Sequence, residues 1–188
     1  MGVTTYFQPK FNVACINRCT EAEGPEKRLA IWFQGCDKRC KGCCNPELLK
    51  LKPAHILTLD ELLLIIAEAK KRFGIEGVTY LGGEPALQQG LAELSRIIRT
   101  AGLGAILFTG KQESEVRADL KAEVDLIIDG GFEQNKLDDK RNLVGSTNQR
   151  LVFITDRYRP HKQWFYASRP KRVEINVADG LFITGDKI

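Results

Sequence analysis

Three cysteines stand close together in the run Gly35-Cys36-Asp37-Lys38-Arg39-Cys40-Lys41-Gly42-Cys43. The spacing is C-x3-C-x2-C, on a short loop after an apolar run. Three thiolates placed this way can hold three irons of a [4Fe–4S] cubane. The fourth iron then lacks a protein ligand, and an open coordination position is what separates a catalytic metal from a structural one. Such an iron could chelate a substrate's amino and carboxylate groups, and the reduced cluster could pass one electron into a sulfonium. The competing reading is a structural zinc knot. Zinc asks for four tetrahedral ligands, and the fourth would be Cys44, directly beside Cys43, an awkward pair for one ion. Cys44 alone reads as a small packed thiol.

The remaining cysteines are Cys15 and Cys19, a C-x3-C pair read as strand residues, because a second cluster would want more thiolates than remain. The two histidines, His55 and His161, are far apart in sequence and near no other plausible ligand. Lys38, Arg39 and Lys41 flank the cysteine loop. A charge run is ordinarily a solvated face, and here it could also receive an acidic electron donor by electrostatic steering.

These residues need a framework, and the sequence offers one. Apolar runs end repeatedly in small-residue loops. Leu29–Phe33 ends at Gly35-Cys36, Val78–Leu81 at Gly82-Gly83, Ala105–Phe108 at Thr109-Gly110, and Val124–Ile128 at Asp129-Gly130-Gly131. Short runs of this kind suit buried parallel strands. Helices fit between them. Thr58 and Glu61 form a capping box for a helix to about Arg72, with Leu59, Leu62, Leu63 and Ile66 on one face. A second helix is expected to begin at Pro85, carrying Leu87, Leu91, Leu94 and Ile98, and to stop at Gly102. A weaker third spans about Glu113 to Lys121. Alternation of strand and helix implies an α/β fold with a parallel sheet and right-handed crossovers. Gln149 to Thr155 reads as a further strand, and Phe11 to Thr20 as an N-terminal one. Near the C-terminus, Val173–Val177 alternates, Ala178-Asp179-Gly180 turns and Leu181–Thr184 returns, a β-hairpin pattern.

All four loops fall at the carboxyl ends of expected parallel strands, the edge where α/β sheets bind ligands. Cys36–Cys43, Gly82–Glu84, Thr109–Gly110 and Asp129 should therefore face one crevice.

Length and composition agree with one domain. The chain has 188 residues, 43% hydrophobic and 28% charged, and its formal charge is +4. That excess is too small, and too scattered, to argue for nucleic acid. No apolar run is long enough to span a bilayer, and Met1–Lys10 lacks a signal-peptide core. A cytoplasmic protein with reduced thiols is expected, with no membrane partner. The expected organisation is a single domain over 1–188. Its core covers about 23–155, a strand extension precedes it at 1–22, and a C-terminal extension with the hairpin follows at 156–188.

The cysteine loop resembles that of the radical S-adenosylmethionine enzymes, and Gly82-Gly83-Glu84-Pro85 resembles their motif for the methionine ammonium. The likeness is to the activating protein of anaerobic ribonucleotide reductase and related small single-cluster proteins. It is carried by Glu23-Gly24-Pro25 with Arg28, Trp32–Cys36, Gly42–Pro46, Thr109-Gly110, Val124–Gly130 and Gly145-Ser146-Thr147-Asn148-Gln149-Arg150.

The resemblance implies a short radical partial (β/α) barrel. Cys36, Cys40 and Cys43 would ligate the cluster, with no further catalytic side chain. Gly42, Gly82, Gly83, Glu84, Thr109 and Asp129 would contact S-adenosylmethionine. Gly82 and Gly83 would allow close backbone approach, Glu84 would meet the ammonium, and Thr109 and Asp129 the carboxylate, ribose or a cation. The 5′-deoxyadenosyl radical so produced would abstract hydrogen from a glycine of a partner glycyl radical enzyme, with a flavodoxin- or ferredoxin-like electron donor. The alternatives are a radical enzyme for a small molecule, and a non-enzymatic iron–sulfur or zinc protein.

Two departures stand out. The pattern's Gly-Pro-Gly is Gly24-Pro25-Glu26 here. The aromatic often found beside the third cysteine is also absent, its neighbours being Gly42 and Cys44, so adenine contact falls to backbone.

Overall fold

A computed structural model describes residues 8–167, 173–176 and 182–185. A seven-stranded sheet has the order β3-β1-β2-β4-β5-β6-β7. The strands are β1 (Lys10–Thr20), β2 (Arg28–Phe33), β3 (His55–Thr58), β4 (Gly77–Gly82), β5 (Gly104–Thr109), β6 (Leu126–Asp129) and β7 (Arg150–Phe153). The four central strands, β2, β4, β5 and β6, are parallel and lie side by side in chain order. They are the four apolar runs of the sequence. The outer strands β1, β3 and β7 are antiparallel to their neighbours, and the sheet stays open. A separate antiparallel pair, β8 (Val173–Asn176) and β9 (Phe182–Gly185), is the expected hairpin. Its turn, Ala178-Asp179-Gly180, lies outside the described residues.

Alternation along the parallel strands gives the sheet two apolar faces. Leu29, Ile31, Phe33, Val78, Tyr80, Ala105, Leu107 and Ile127 pack with α1 (Leu59–Phe73) and α2 (Leu91–Thr100). Ile106, Leu126 and Ile128 face the other way, against Tyr158 and Phe165, the latter on α4 (Lys162–Tyr166).

The Thr58–Glu61 capping box is formed: Glu61 Oε2 accepts the Thr58 N–H at 2.7 Å, and Thr58 Oγ1 accepts the Glu61 N–H at 3.3 Å. This helix, α1, buries Leu59, Leu62, Ile66 and Ala69 and ends at Gly74 in the left-handed region (φ +66°). Leu63 lies at the margin of that face, half-buried.

Two helices differ from the sequence expectation. Pro85–Leu87 is only a 3-10 turn, and α2 begins at Leu91. The break is at Gln88, whose side chain accepts the Asn12 N–H of β1 at 3.0 Å and holds the backbone extended (ψ 108°). The third helix is likewise split, into a 3-10 turn at Glu113–Glu115 and the short α3 (Ala118–Ala122). Val116 is extended between them, so that its side chain reaches the core.

Arg28 opens β2 fully buried. It donates to Thr79 Oγ1 (2.6 Å), Tyr158 OH (2.7 Å) and the carbonyls of Val78 (2.8 Å) and Pro25 (3.2 Å). A buried cation is tolerated only when paired and hydrogen-bonded. Its counter-charge is Glu26, 3.9 Å away, and the Tyr158 ring lies 5.1 Å from its guanidinium carbon. Glu26 adopts φ +69°. A left-handed backbone that suits the glycine at the pattern's third position is thus adopted by a glutamate, at a cost of about 1–2 kcal/mol. The carboxylate also faces His161 at 3.3 Å and Arg157 at 4.0 Å.

Candidate active site

The turn after β4 lies directly on the root of the cysteine loop. Gly83 N–H donates to Phe33 O at 2.8 Å, and Glu84 N–H to Gly35 O at 2.9 Å. A Cβ on Gly83 would sit 2.2 Å from Gly35 O, and one on Gly82 2.5 Å from Phe33 N. Both obstacles are backbone, so neither position accepts a side chain. The close approach these glycines permit is therefore to the chain itself.

Glu84 ties β4 to β5. Its Oε1 accepts from Thr109 Oγ1 (2.7 Å) and Ala86 N–H (3.0 Å), and its Oε2 from Gly110 N–H (2.8 Å). The side chain is buried, and burial raises its pKa while the three hydrogen bonds pull the other way. Both carboxylate oxygens are thus engaged inside the protein. Thr109 is engaged too: besides donating to Glu84, its hydroxyl accepts the Lys111 N–H at 3.1 Å.

Asp129, at the end of β6, is fully buried. It accepts the Glu113 N–H at 2.7 Å and is paired with Arg150, its register partner on β7. The nearest cation to Asp129 is thus a side chain of the same sheet. The ends of β2, β4, β5 and β6 adjoin at one edge of the sheet, joined through Gly35–Glu84, Glu84–Thr109 and the Thr109–Asp129 pairing.

The cysteine loop leaves this floor and runs outward. Its root is fixed by Gly35 N–H to Leu48 O (2.8 Å) and Cys36 N–H to Leu49 O (3.3 Å). Cys36 is buried, Cys40 and Cys43 are half-buried, and Asp37, Arg39, Lys41, Gly42 and Cys44 are exposed. Two sulfurs accept backbone N–H groups, Cys36 from Lys38 at 3.3 Å and Cys43 from Asn45 at 3.4 Å. Burial raises the Cys36 thiol pKa, and the Lys38 N–H opposes that rise. Gly131 lies beside Cys40: a Cβ there would sit 3.6 Å from Cys40 Sγ, at ordinary van der Waals distance. None of the six cysteines is in a disulfide. Three free thiols on one loop, two already receiving N–H···S bonds, suit an iron–sulfur cluster, whose properties depend on such bonds. Among the described residues, no three His, Cys, Asp or Glu side chains gather closely enough for a single metal ion.

Gly42 takes φ +74°, and its missing Cβ makes room for the Gln134 side chain. Lys38 packs over Gly110, and Lys111 pairs with Asp37 at 3.4 Å. Gln134 and Lys111 were not legible as site residues from their local sequence. Arg150 lay within a motif that carried the resemblance but was not itself named as a site residue. Its signal is the buried acid at the end of β6, which needs a cation.

The sequence profile of the 4Fe-4S single cluster domain matches residues 22–152. The chain belongs to that family. The anaerobic ribonucleoside-triphosphate reductase-activating protein of Enterobacteria phage T4 is 30% identical over 144 residues, 73% of this chain and 91% of its own length. The protein of the same name from Vibrio cholerae is 28% identical, over 70% of this chain and 91% of its own. The pyruvate formate-lyase-activating enzyme of Clostridium pasteurianum is 33% identical over 46% of this chain and 38% of its own. Among solved structures, QueE from Escherichia coli aligns with a TM-score of 0.47 and 16% identity, covering 64% of this chain and 70% of its own. This 4Fe-4S single cluster protein is a radical S-adenosylmethionine enzyme of the activating type, and its cofactors are a [4Fe–4S] cluster and S-adenosylmethionine. No helix among the described residues is long and apolar enough to cross a membrane.

Proposed function

We propose that the chain installs a glycyl radical on a partner enzyme of the anaerobic ribonucleotide reductase type, with Cys36, Cys40 and Cys43 as the cluster ligands. The observation that supports this reading is the shape of the edge. The root of the cysteine loop is buried against Gly83 and Glu84, while its tip is exposed beside an open sheet. A site reached from the side admits a protein loop, whereas a small substrate calls for a closed pocket.

When bound, the reduced cluster passes one electron into the sulfonium of S-adenosylmethionine, giving methionine and a 5′-deoxyadenosyl radical able to take hydrogen from a glycine Cα. The chain's own residues supply position. Gly82 and Gly83 seat the turn after β4 under the loop. Glu84 acts from within the floor, fixing Thr109 and Gly110, and Asp129 fixes Arg150. Gly42 makes room for the Gln134 side chain against the loop. Lys38, Arg39 and Lys41 surround the loop with positive charge, which suits an acidic flavodoxin- or ferredoxin-like electron donor. Reduction rates that fall as ionic strength rises would support that role, and a flat profile would reject it.

The test is anaerobic reconstitution with dithionite, S-adenosylmethionine and an anaerobic ribonucleoside-triphosphate reductase. A glycyl radical signal on the reductase, with 5′-deoxyadenosine released, is expected. Release of 5′-deoxyadenosine with no radical on the reductase would overturn the choice of partner.

A further inference from the structure

The root of the cysteine loop has a second neighbour besides the Gly83 turn. A Cβ on Gly35 would meet Leu51 Cδ2 at 3.0 Å, so Leu51 lies over the residue that precedes Cys36. Leu51 belongs to a strap, residues 48–56, that is stitched to the ends of β1 and β2. Gln34 Nε2 donates to Lys50 O, Asn12 Nδ2 to Lys52 O, and Ala54 N–H to Asn12 Oδ1, each at 2.8 Å. Ile56 is the register partner of Asn12, whose carbonyl accepts the Gln34 N–H at 2.8 Å. Ile56 therefore stands level with the residue two places before Cys36.

The backbone of this strap is held, but its side chains face outward. Residues 50–56 are all exposed, Leu51 to 70% and Ile56 to 48%. Lys50 and Lys52 flank Leu51, and neither forms an ion pair among the described residues. With Lys38, Arg39 and Lys41 on the adjoining loop, five cations surround the two apolar side chains. The acids nearby are Glu47, which is exposed, and Asp37, which is paired with Lys111. Asp60 and Glu61, at the start of α1, are engaged by Gln8 and by the Thr58 cap.

We propose that residues 50–56 are the docking face for a small acidic protein that delivers one electron to the cluster. The inference rests on the reading of this chain as an activase whose cluster a protein reduces. The sheet order places β4, β5 and β6, with Glu84, Thr109 and Asp129, on one side of β2, and β1 with β3 on the other. A donor seated on the β1–β3 side reaches the root of the loop and leaves the floor of the site uncovered. The cations select an acidic partner and speed its arrival. A small apolar centre suits a contact that must form and release quickly. One electron leaves the donor, which is oxidised, and enters the cluster, which is reduced; no bond breaks.

The test follows reduction of the reconstituted cluster by stopped-flow absorbance, with a fully reduced flavodoxin as the probe. Dithionite, too small to need docking, is the second reductant. Leu51→Ser and Lys52→Glu alter the face. Arg96→Glu makes the same change in net charge on α2, beside Leu103 and Asp125, which lead into β5 and β6 at the opposite edge. Lys52→Glu should slow reduction by flavodoxin about tenfold at low ionic strength, and less as salt rises. Leu51→Ser should slow it about tenfold at every ionic strength, since the lost contact is apolar. Arg96→Glu, and all three variants with dithionite, should stay within about twofold of the wild type.

Unchanged rates in Leu51→Ser and Lys52→Glu overturn the inference, as does equal slowing by Arg96→Glu. Slower reduction of Leu51→Ser by dithionite also overturns it, by assigning Leu51 to the loop's root. A wild-type dimer that Leu51→Ser dissolves would assign the face to a second copy of the chain. Weaker binding of an anaerobic ribonucleoside-triphosphate reductase by Lys52→Glu would assign it to the protein substrate. A wild type that dithionite reduces and flavodoxin does not overturns the inference alone. The expected dependence on Leu51 and Lys52, with no glycyl radical on the reductase, supports the docking face and overturns the activase reading.

Discussion

The Thr109 hydroxyl donates to the Glu84 carboxylate at 2.7 Å. That bond joins the ends of two parallel strands across the floor of the site. Replacing Glu84 by alanine leaves the Thr109 hydroxyl and the N–H groups of Ala86 and Gly110 without their acceptors. At about 1–3 kcal/mol for a buried group left unpaired, a loss of about 3 kcal/mol is expected. The urea midpoint of Glu84→Ala measures it. A midpoint equal to that of the wild type would show that these bonds do not hold the floor.

Gly83 is constrained by approach. Because its Cβ would meet Gly35 O at 2.2 Å, Gly83→Ala must push the cysteine loop off its root. Iron retained per chain after anaerobic reconstitution should drop well below the wild-type value. A full complement of iron in Gly83→Ala would show that the loop does not depend on that contact.

Cys44 is exposed and directly follows Cys43. Cys36→Ala, Cys40→Ala and Cys43→Ala should each lose the cluster, while Cys44→Ala should keep wild-type iron content. Loss of iron in Cys44→Ala would mean that the cluster is closed by a fourth thiolate.

How much of this was legible beforehand depended on distance along the chain. The Thr58–Glu61 box is a local pattern, and it formed as read. The four apolar runs were likewise enough to place parallel strands, because burial on both faces leaves its mark within each run. What failed was decided by remote partners. The helix expected from Pro85 gives way at Gln88 because its side chain is taken by Asn12, 76 residues earlier. The bond that ties Glu84 to Thr109, 25 residues on, was likewise not legible from the local Gly-Gly-Glu-Pro pattern. β3 is only four residues long and pairs with β1 rather than with a sequence neighbour of its own type. Glu26 was read as a departure from the pattern's Gly-Pro-Gly. The structure shows the glycine-like backbone kept, and the carboxylate facing Arg28, Arg157 and His161.

Arg28 supports the opposite end of the strands from the site. Arg28→Met would leave the Glu26 carboxylate and the Tyr158 hydroxyl without this partner. Glu26 keeps Arg157 and His161, so the cost falls on the buried acceptors left without a donor, about 3 kcal/mol in all. Urea unfolding of the variant should show a loss of that size, and a loss below about 1 kcal/mol would contradict the role given to Arg28.

Cys15, on β1, has its thiol pKa pushed up to about 11, by burial first and then by the Glu47 charge. A raised pKa disfavours the thiolate at any given pH, and the thiolate is the nucleophile. Alkylation of Cys15 by iodoacetamide should therefore be slow at pH 8 and accelerate only as the pH climbs towards 11. Mass mapping of the modified peptides checks this. Rapid modification of Cys15 at pH 8 would contradict its burial.

The central claim is a cubane held by Cys36, Cys40 and Cys43 with one iron free of protein ligands. Mössbauer spectroscopy of protein reconstituted with 57Fe addresses it most directly. One iron in four should shift its parameters when S-adenosylmethionine is added, with the other three unchanged. Four irons that ignore S-adenosylmethionine, or a protein that binds zinc in place of the cluster, would contradict the account.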